Sequence, residues 1–235
     1  ARWSKANQAW EAVGDPNTGA TITLIYCMAF DANGDLYIGG NFTNLAGIAG
    51  ANYFAKYTVA TNTWSAFGSG LDSTVFAIEI SPIGVIYIGG AFTTASSSYD
   101  CKRIAYWNGS AWAPLATGLN SSVLDLKFAQ NGNLIIGGAF TNADGTNGDY
   151  ICYWEPDGNT FKTFYDLGAT ELSANGYVRS IDINPNGTII IGGEFTNAGG
   201  YANADYAAEW RGNNWGSLAA GGVNGTAIRV CATDN

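Results

Sequence analysis

The chain has 235 residues, and 47% of them are hydrophobic, which is too high a share for a disordered chain and enough for one large domain or two small ones. Its 19 acidic residues outnumber its 10 basic residues, giving a net charge of −9. This charge excludes a basic surface for nucleic acid or anionic lipid, and no apolar run is long enough to span a bilayer. We therefore expect no nucleic-acid partner and no membrane insertion.

The sequence contains 4 cysteines and no histidine. Cys27, Cys101, Cys152 and Cys231 do not have the spacing of metal ligands, so we expect no metal site and no cofactor. Their even number is compatible with two disulfides or with four buried thiols. The absence of histidine also removes the usual general base of a serine or cysteine nucleophile, so the composition disfavours an enzyme of that kind.

The first predicted elements are a short hairpin, a strand and a second hairpin. The aromatic pair Trp3 and Trp10 indicates the first hairpin. The phrase Tyr-Ile-Gly-Gly-Asn-Phe-Thr at 37–43 predicts a strand, and the pair Tyr57 and Trp64 predicts the hairpin that follows it. Aromatic and β-branched residues bounded by polar turns are typical of short strands.

The same order of features then repeats along the chain at intervals of roughly 50 residues. The Gly-Gly phrase returns at 87–93, 135–141 and 190–196. The aromatic pairs return as Trp107/Trp112, Trp154/Phe161 and Trp210/Trp215. Such long matches do not arise by chance, so we interpret the chain as a repeat protein.

Each repeat predicts four antiparallel strands. Alternating apolar segments at 75–80, 123–128 and 178–183 predict the first strand, the Gly-Gly phrase predicts the second, and each aromatic pair predicts the third and fourth. A unit of this size with four strands is typical of the blade of a β-propeller. We expect the Gly-Gly pair to allow close approach of backbones where blades crowd near the axis.

Both ends of the chain fit one further blade. Residues 1–3 align with 105–107, and residues 227–235 align with 123–131. We therefore predict an all-β fold with a single domain over residues 1–235, a five-bladed propeller of four-stranded antiparallel blades in which both termini build the last blade. The alternative is a longer chain with more blades or more domains.

The phrases Ile-Gly-Gly-x-Phe-Thr and Ile-Ala-x-Trp-Asn-Gly-x-x-Trp resemble the Gly-Gly propeller repeats of the kelch and galactose-oxidase-like kind, over essentially the whole chain. Such repeats are common in bacteriophage tail and virion proteins, in bacterial surface proteins and in a fungal cell-polarity surface protein. The resemblance thus implies a propeller located outside the cell or on a virion surface. It does not imply the copper chemistry of galactose oxidase, because the histidine ligands are missing.

Four loops between second and third strands should emerge on one face, and each places an Asn or Asp beside a Tyr. The pairs are Asn52-Tyr53, Tyr99-Asp100, Asp149-Tyr150 and Asp205-Tyr206. A flat ring beside an amide or carboxylate suits the apolar face and hydroxyl rim of a sugar, and repetition would add avidity. The pairs therefore predict glycan binding. The alternative is structural, with the Tyr packed between blades and the Asp tying its own loop.

Two polar residues follow the Gly-Gly pair at a position where two other repeats have Ala. They are Asn41 and Glu194, and we expect both to face a wet central channel. Glu194 is the best candidate for carboxylate chemistry. Residues 31–35 (Asp-Ala-Asn-Gly-Asp) resemble the start of a calcium loop but lack the later Glu, so we favour a hairpin turn there.

The sequence as a whole favours a non-enzymatic module for structural display and adhesion, such as a bacteriophage tail or capsid appendage. Its expected partners are other virion or surface-protein subunits and host surface glycans. Two alternatives remain open. One is a free-standing carbohydrate-binding lectin, and the other is a carbohydrate-active enzyme that uses paired carboxylates.

Overall fold

The computed structural model describes residues 2–4, 8–11, 13–96, 99–147, 150–164, 176–201, 203–218, 223, 225–227 and 229–231. In chain order the strands are β1 (Arg2–Ser4), β2 (Ala9–Glu11), β3 (Thr21–Phe30), β4 (Leu36–Thr43), β5 (Phe54–Thr58), β6 (Thr63–Ser65), β7 (Val75–Ile80), β8 (Ile86–Gly90), β9 (Thr94–Ala95), β10 (Tyr99–Asp100), β11 (Ile104–Trp107), β12 (Trp112–Pro114), β13 (Val123–Phe128), β14 (Leu134–Gly138), β15 (Asn142–Ala143), β16 (Thr146–Asn147), β17 (Ile151–Glu155), β18 (Thr160–Lys162), β19 (Val178–Ile183), β20 (Ile189–Gly193), β21 (Ala207–Trp210) and β22 (Trp215–Ser217). Two short 3-10 turns span Leu45–Gly47 and Ala198–Gly200. Among these residues no helix has the length and apolar character needed to cross a bilayer.

Four sheets each contain four antiparallel strands. Their orders are β3-β4-β5-β6, β12-β11-β8-β7, β13-β14-β17-β18 and β19-β20-β21-β22, and we call them blades 1 to 4. The remaining pairs are the hairpin β1–β2 and two small ribbons, β9–β10 and β15–β16. The all-β class and the four-stranded blade are thus confirmed. The blade count of five is not, because four complete sheets are seen in the part of the chain that the structure describes.

The repeated aromatic pairs lie directly opposite each other in the outer hairpin of each blade. The cross-strand partners are Tyr57–Trp64, Trp107–Trp112, Trp154–Phe161 and Trp210–Trp215. Their ring centroids are between 4.8 and 5.4 Å apart, the range in which aromatic pairs stabilise a sheet. Trp3 and Trp10 have the same register in β1–β2. The N-terminal hairpin therefore has the register of the third and fourth strands of a blade.

At two of the interfaces, the space between blades is filled by a phenylalanine two residues after the outer hairpin. Phe67 leaves blade 1 and packs on Trp107 and Trp112 of blade 2, with ring centroids 4.8 and 5.9 Å away. Phe164 leaves blade 3 and packs on Trp210 and Trp215 of blade 4. The hydrophobic core accordingly consists of clusters that each join two successive blades.

The first glycine of each pair makes room for the next blade. A Cβ on Gly137 would lie 2.7 Å from Val178 Cγ1 at the start of β19, and one on Gly39 would lie 2.6 Å from Val75 Cγ1. Real Cβ atoms do not come this close to a neighbour, so any larger residue would push two blades apart. Crowding between blades is therefore present at the first glycine, but the group that it makes room for is a side chain and not the expected backbone.

The second glycine of each pair is required by a distortion within its own blade. A Cβ on Gly138 would overlap the carbonyl oxygen of Ser122, and one on Gly90 would overlap that of Thr74. The reason is a β-bulge, which shifts the register of the first strand between Val123 and Asp125 and recurs in the other blades. The two glycines therefore have different causes, which the sequence does not distinguish.

Side chains of the inner strands bind the backbone of the following blade. Asp125 Oδ2 accepts the N–H of Ile181 at 2.7 Å, and Glu79 Oε1 accepts the N–H of Phe128 at 3.1 Å. Ser180 holds in β19 the position that Asp125 holds in β13, and its Oγ accepts the N–H of Val230 at 3.2 Å. Residues 229–230 therefore lie beside β19 in the way that β19 lies beside β13.

We predict that the two glycines differ in how they can be rescued. Gly137→Ala should destabilise the protein by about 2 kcal/mol through contact with a side chain, and Gly138→Ala by about 3 kcal/mol through contact with backbone. Adding Val178→Ala should recover part of the loss in the first variant and none in the second. Urea unfolding of the single and double variants measures both couplings.

Gly216→Ala is the control, because nothing lies near its added Cβ. If Val178→Ala recovered the same stability in both glycine variants, the two glycines would not have the different roles described above.

We also predict that the free energy of unfolding depends on pH through Asp125 and Glu79, whose carboxylates bind the backbone of the next blade. Burial raises the pKa of Asp125 and of Glu79 above the ordinary values for these groups. A raised pKa in the folded state gives stability that is present below the ordinary value of about 4 and is lost as the pH rises through the folded value. Wild-type stability should therefore fall more steeply above pH 4 than that of a variant carrying Asp125→Asn and Glu79→Gln.

Asp15→Asn provides a control of opposite sign, because a hydrogen bond from Thr18 lowers the pKa of Asp15. Its effect is confined to pH values below about 4, where this variant should gain less stability than wild type as the pH rises, and above pH 4 its slope should match that of wild type. A double variant with an unchanged or steeper slope would show that the inter-blade carboxylates do not carry the effect.

Candidate functional site

The inner strands surround a central channel of about 700 Å³. Its walls come from five chain segments, residues 25–28, 76–79, 124–127, 179–182 and 229–230. The first four belong to the first strands of blades 1 to 4. The fifth is the segment that Ser180 binds, so five inner segments line the channel in the described structure.

Charges of both signs line this channel. The acidic residues are Glu79, Asp125 and Asp182, and the basic residues are Lys127, Arg179 and Arg229. Lys127 Nζ lies 3.7 Å from Asp182 Oδ1 and so links blades 3 and 4. Because the charges balance, the channel wall does not present a single sign to a charged ligand.

A cluster of polar and aromatic groups lies where β19 begins and β20 ends. Glu194 Oε1 accepts a hydrogen bond from Arg179 Nε at 2.7 Å and a second one from Nη2 of the same guanidinium. The carbonyl of Tyr177 accepts the N–H of Glu194 at 2.8 Å. Tyr177 is 41% exposed, and its ring centroid lies 6.0 Å from that of Tyr150. We call Tyr150, Tyr177, Arg179 and Glu194 the mouth cluster, because Arg179 also lines the channel.

The mouth cluster joins two predicted residues to two that were not predicted. Tyr150 and Glu194 were expected in separate sites, a loop surface and the channel. Tyr177 precedes the first strand where other blades have Thr74 and Ser122, and Arg179 replaces the apolar Phe76 and Leu124. These departures from the repeat are the signal that could have identified them.

The repeated loop tyrosines have a backbone role. Tyr53, Tyr150 and Tyr206 have φ values of 65°, 68° and 61°. Each donates its N–H to the carbonyl of the Phe in the Gly-Gly phrase and accepts the N–H of the second glycine. The three residues thus form a left-handed kink that opens the third strand, and their side chains are half-buried.

Blade 2 departs from the predicted pattern. Arg103, with φ of 80°, has the backbone position of the loop tyrosines, and its two hydrogen bonds match theirs. Tyr99 instead belongs to the ribbon strand β10. Asp100 is exposed, with its carboxylate 3.5 Å from Lys102 Nζ. The pair in blade 2 is therefore not equivalent to the others.

The polar partners of the tyrosines hold their own loops. Asn52 Oδ1 accepts the N–H of Asn44 at 2.9 Å, and Asp205 Oδ1 accepts the N–H of Asn197 at 2.8 Å. These bonds are the ones that the structural alternative requires. Asp149 lies outside the described residues.

Asn41 and Glu194 occupy equivalent places after the Gly-Gly pair. Asn41 lies within β4 of blade 1, half-buried and opposite Leu24. Neither residue is among those that line the channel. Glu194 contacts the channel-lining residue Arg179, and the channel-facing position of the two side chains stays a prediction.

Other reactive groups are buried or occupied. Burial raises the pKa of Cys27 to about 12 and of Cys101 to about 11, so these thiols stay protonated at neutral pH. Across the described ranges, no three His, Cys, Asp or Glu side chains converge as metal ligands would. At the turn Asp31–Asp35, the ammonium of Lys56 lies 3.5 and 2.8 Å from the two carboxylates, which fits the hairpin interpretation.

Two solved structures resemble this fold. One is described as the extracellular domain of a one-component system from B. thetaiotaomicron, the other as the extracellular domain of a hybrid two-component system from the same organism. The TM-scores are 0.58 and 0.57, each at 13% sequence identity, and each match covers 88% of this chain. The match spans only 24% of the other chain in both cases, so the likeness concerns the fold alone.

The family comparison is more specific. No curated protein matches the chain. Residues 72–229 match the family model described as the Rax2 C-terminal beta propeller domain, and this range runs from just before β7 to the fifth channel-lining segment. The matched range covers blades 2 to 4 and more than half of the sequence. The chain therefore belongs to the Rax2 C-terminal beta propeller domain family.

Proposed function

We propose that this β-propeller is a non-enzymatic adhesion and display module that acts outside the cell or on a virion surface and binds glycans at the mouth cluster. The observation that carries the proposal is the position of two tyrosine rings beside the Arg179–Glu194 ion pair. Other surface-protein or virion subunits are its further partners under this proposal.

The mouth cluster has the chemistry that a sugar ring requires. Tyr150 and Tyr177 offer apolar ring faces with polar edges, which suit the two sides of a pyranose. Arg179 offers N–H donors and Glu194 offers carboxylate oxygens, and charge-assisted hydrogen bonds to neighbouring hydroxyls are stronger than neutral ones. The ion pair is about one-third exposed, so a ligand can reach it without displacing core residues.

The setting outside the cell is supported by the solved structures, which are described as extracellular domains. They favour a cell surface over a virion. The likeness to kelch and galactose-oxidase repeats, and with it the bacteriophage setting, depends on the two repeated sequence phrases alone.

Five blades are part of the proposal. The hairpin β1–β2 would supply the third and fourth strands of the last blade, since Trp3 and Trp10 have the register of the other outer pairs. Residues 229–230 would belong to its first strand, since the N–H of Val230 binds Ser180 and both residues line the channel.

Paired carboxylates would be required for the enzyme alternative, about 5–10 Å apart around one bond. Asp125 and Glu79 already accept backbone N–H groups from the next blade, and Glu194 is held by Arg179. These carboxylates have structural partners, which supports binding without bond cleavage. The free-standing lectin differs only in lacking partner subunits, and its site would be the same.

We predict that Tyr177→Ala weakens glycan binding at this site. A glycan microarray would identify an oligosaccharide, and isothermal titration with that compound would compare variants. Loss of the exposed ring should weaken binding about 10-fold, which corresponds to about 1.4 kcal/mol, and Glu194→Gln should weaken it by a smaller factor.

Tyr201→Ala is the matched control. Tyr201 is 45% exposed, and its hydroxyl accepts a hydrogen bond from Asn214 in the outer part of the same blade. Equal losses in the two tyrosine variants, or no binding to any oligosaccharide, would reject the site. Mass spectrometry of the incubated oligosaccharide completes the test, because cleavage that Glu194→Gln abolishes would favour the enzyme.

A further inference from the structure

The β-bulges of the first strands place one residue of each blade at the same level of the channel wall. The register shift passes over one residue of each first strand, and these residues are Tyr26, Phe76, Leu124 and Arg179 in blades 1 to 4. All four line the channel. A bulge re-aims the side chain of its extra residue, so its repetition supplies the channel with four side chains at one height. We call these four residues the bulge ring.

Three members of the bulge ring are aromatic or aliphatic and accessible from the channel. Tyr26 is 42% exposed, and its ring meets that of Phe76 edge to face with centroids 5.0 Å apart. Phe76 and Leu124 are half-buried. They belong to blades 2 and 3, which are flanked by complete sheets on both sides. An apolar surface that stays open to a cavity is a place for an apolar ligand group.

The fourth member, Arg179, belongs to the mouth cluster as well. Its Nε donates a hydrogen bond to Glu194 Oε1 at 2.7 Å, and its side chain lines the same channel as Phe76 and Leu124. One side chain thus connects the polar groups of the mouth cluster with the apolar part of the bulge ring. A ligand bound at the mouth cluster is therefore adjacent to an apolar surface inside the channel.

Charged residues line the channel deeper along the same strands. Glu79, Lys127 and Asp182 each follow the bulge residue of their strand by three positions, and all three line the channel. At about 3.3 Å per residue, this charged level is about 10 Å beyond the bulge ring. An apolar group that enters from the mouth therefore has about 10 Å of channel before it reaches charged side chains.

We propose that the mouth cluster and the bulge ring together bind an alkyl glycoside, with the sugar ring at the mouth cluster and the alkyl chain inside the channel. The proposal rests on the glycan binding proposed above and names the class of glycan. A chain of medium length, such as octyl, matches the apolar stretch between the bulge ring and the charged level. A charged substituent would lose its hydration beside Phe76 and Leu124, so it is disfavoured there.

The test is isothermal titration of the whole protein with methyl and octyl β-glycosides of glucose, galactose and mannose, the octyl compounds being kept below their micelle-forming concentrations. For a sugar that binds, the octyl glycoside should bind at least about 20-fold more tightly than the methyl glycoside, because its methylene groups leave water for the bulge ring. Equal affinities would overturn the alkyl-chain proposal and leave glycan binding at the mouth cluster intact.

Three variants locate the two parts of the ligand. Leu124→Gln should reduce the ratio of octyl to methyl affinity at least about 5-fold, because it puts an amide against the alkyl chain. Tyr177→Ala should weaken both glycosides and keep their ratio. Leu218→Gln is the matched control, because Leu218 is 43% exposed, follows β22 and is not among the channel-lining residues. It should change neither affinity. The wild-type ratio requires no variant, so the test remains decisive if Leu124→Gln does not fold.

Photolabelling gives the position of the chain directly. An octyl glycoside with a diazirine at the end of its chain should label residues within 76–79 or 124–127, which mass spectrometry of the digested protein would identify. Labelling confined to residues outside the channel-lining segments would overturn the proposal.

The outcomes separate this proposal from the one it rests on. Octyl binding that Tyr177→Ala leaves unchanged would show a chain bound without the mouth cluster and would reject the joint site. No binding of any of the six glycosides would also reject the alkyl-chain proposal, whereas glycan binding itself would still be decided by the microarray.

Discussion

Contact between the first glycine of each Gly-Gly pair and the next blade is the constraint on which the rest of the structure depends. At Gly137 and Gly39 there is no space for a Cβ, because a valine of the neighbouring first strand already occupies it. This contact sets how closely the inner strands approach. At this distance, side chains of one first strand can accept hydrogen bonds from the backbone of the next blade, as Asp125 accepts the N–H of Ile181. The channel wall follows from the same spacing, since its lining is the ring of first strands.

Positions that repeat from blade to blade serve the fold of this chain, whereas the candidate binding residues lie at positions that differ between blades. Positions that repeat, such as the outer aromatic pairs and the left-handed tyrosines, have a packing or backbone cause that is present in most blades. The mouth cluster depends on positions that break the repeat, Tyr177 and Arg179. In a repeat protein every blade must satisfy the same packing, so a polar or aromatic group at one blade only is free to serve binding.

Much of the fold could be predicted because packing constraints recur in the sequence. The first strands, the Gly-Gly strands and the outer hairpins were found at their observed positions, since each repeats with its own residue pattern. The β-bulge could not be predicted. It requires glycine at Gly138, and the contact with the next blade requires glycine at Gly137, so both requirements appear in the sequence as the same Gly-Gly pair. The sequence aligns Tyr99 with the loop tyrosines because it shows the side chain of each residue but not its backbone conformation. Only the φ angle reveals Arg103 as the equivalent residue.

The outer aromatic pairs have a consequence for spectroscopy. All 8 tryptophans of the chain belong to these pairs, and 6 of them lie in the outer hairpins of blades 1 to 4, so most of the intrinsic emission originates there. The channel-lining segments contain tyrosine and phenylalanine but no tryptophan. Emission spectra will therefore follow the fraying and docking of outer strands, whereas a small molecule inside the channel will leave the signal unchanged. An optical probe of the axis requires a fluorophore placed there by design.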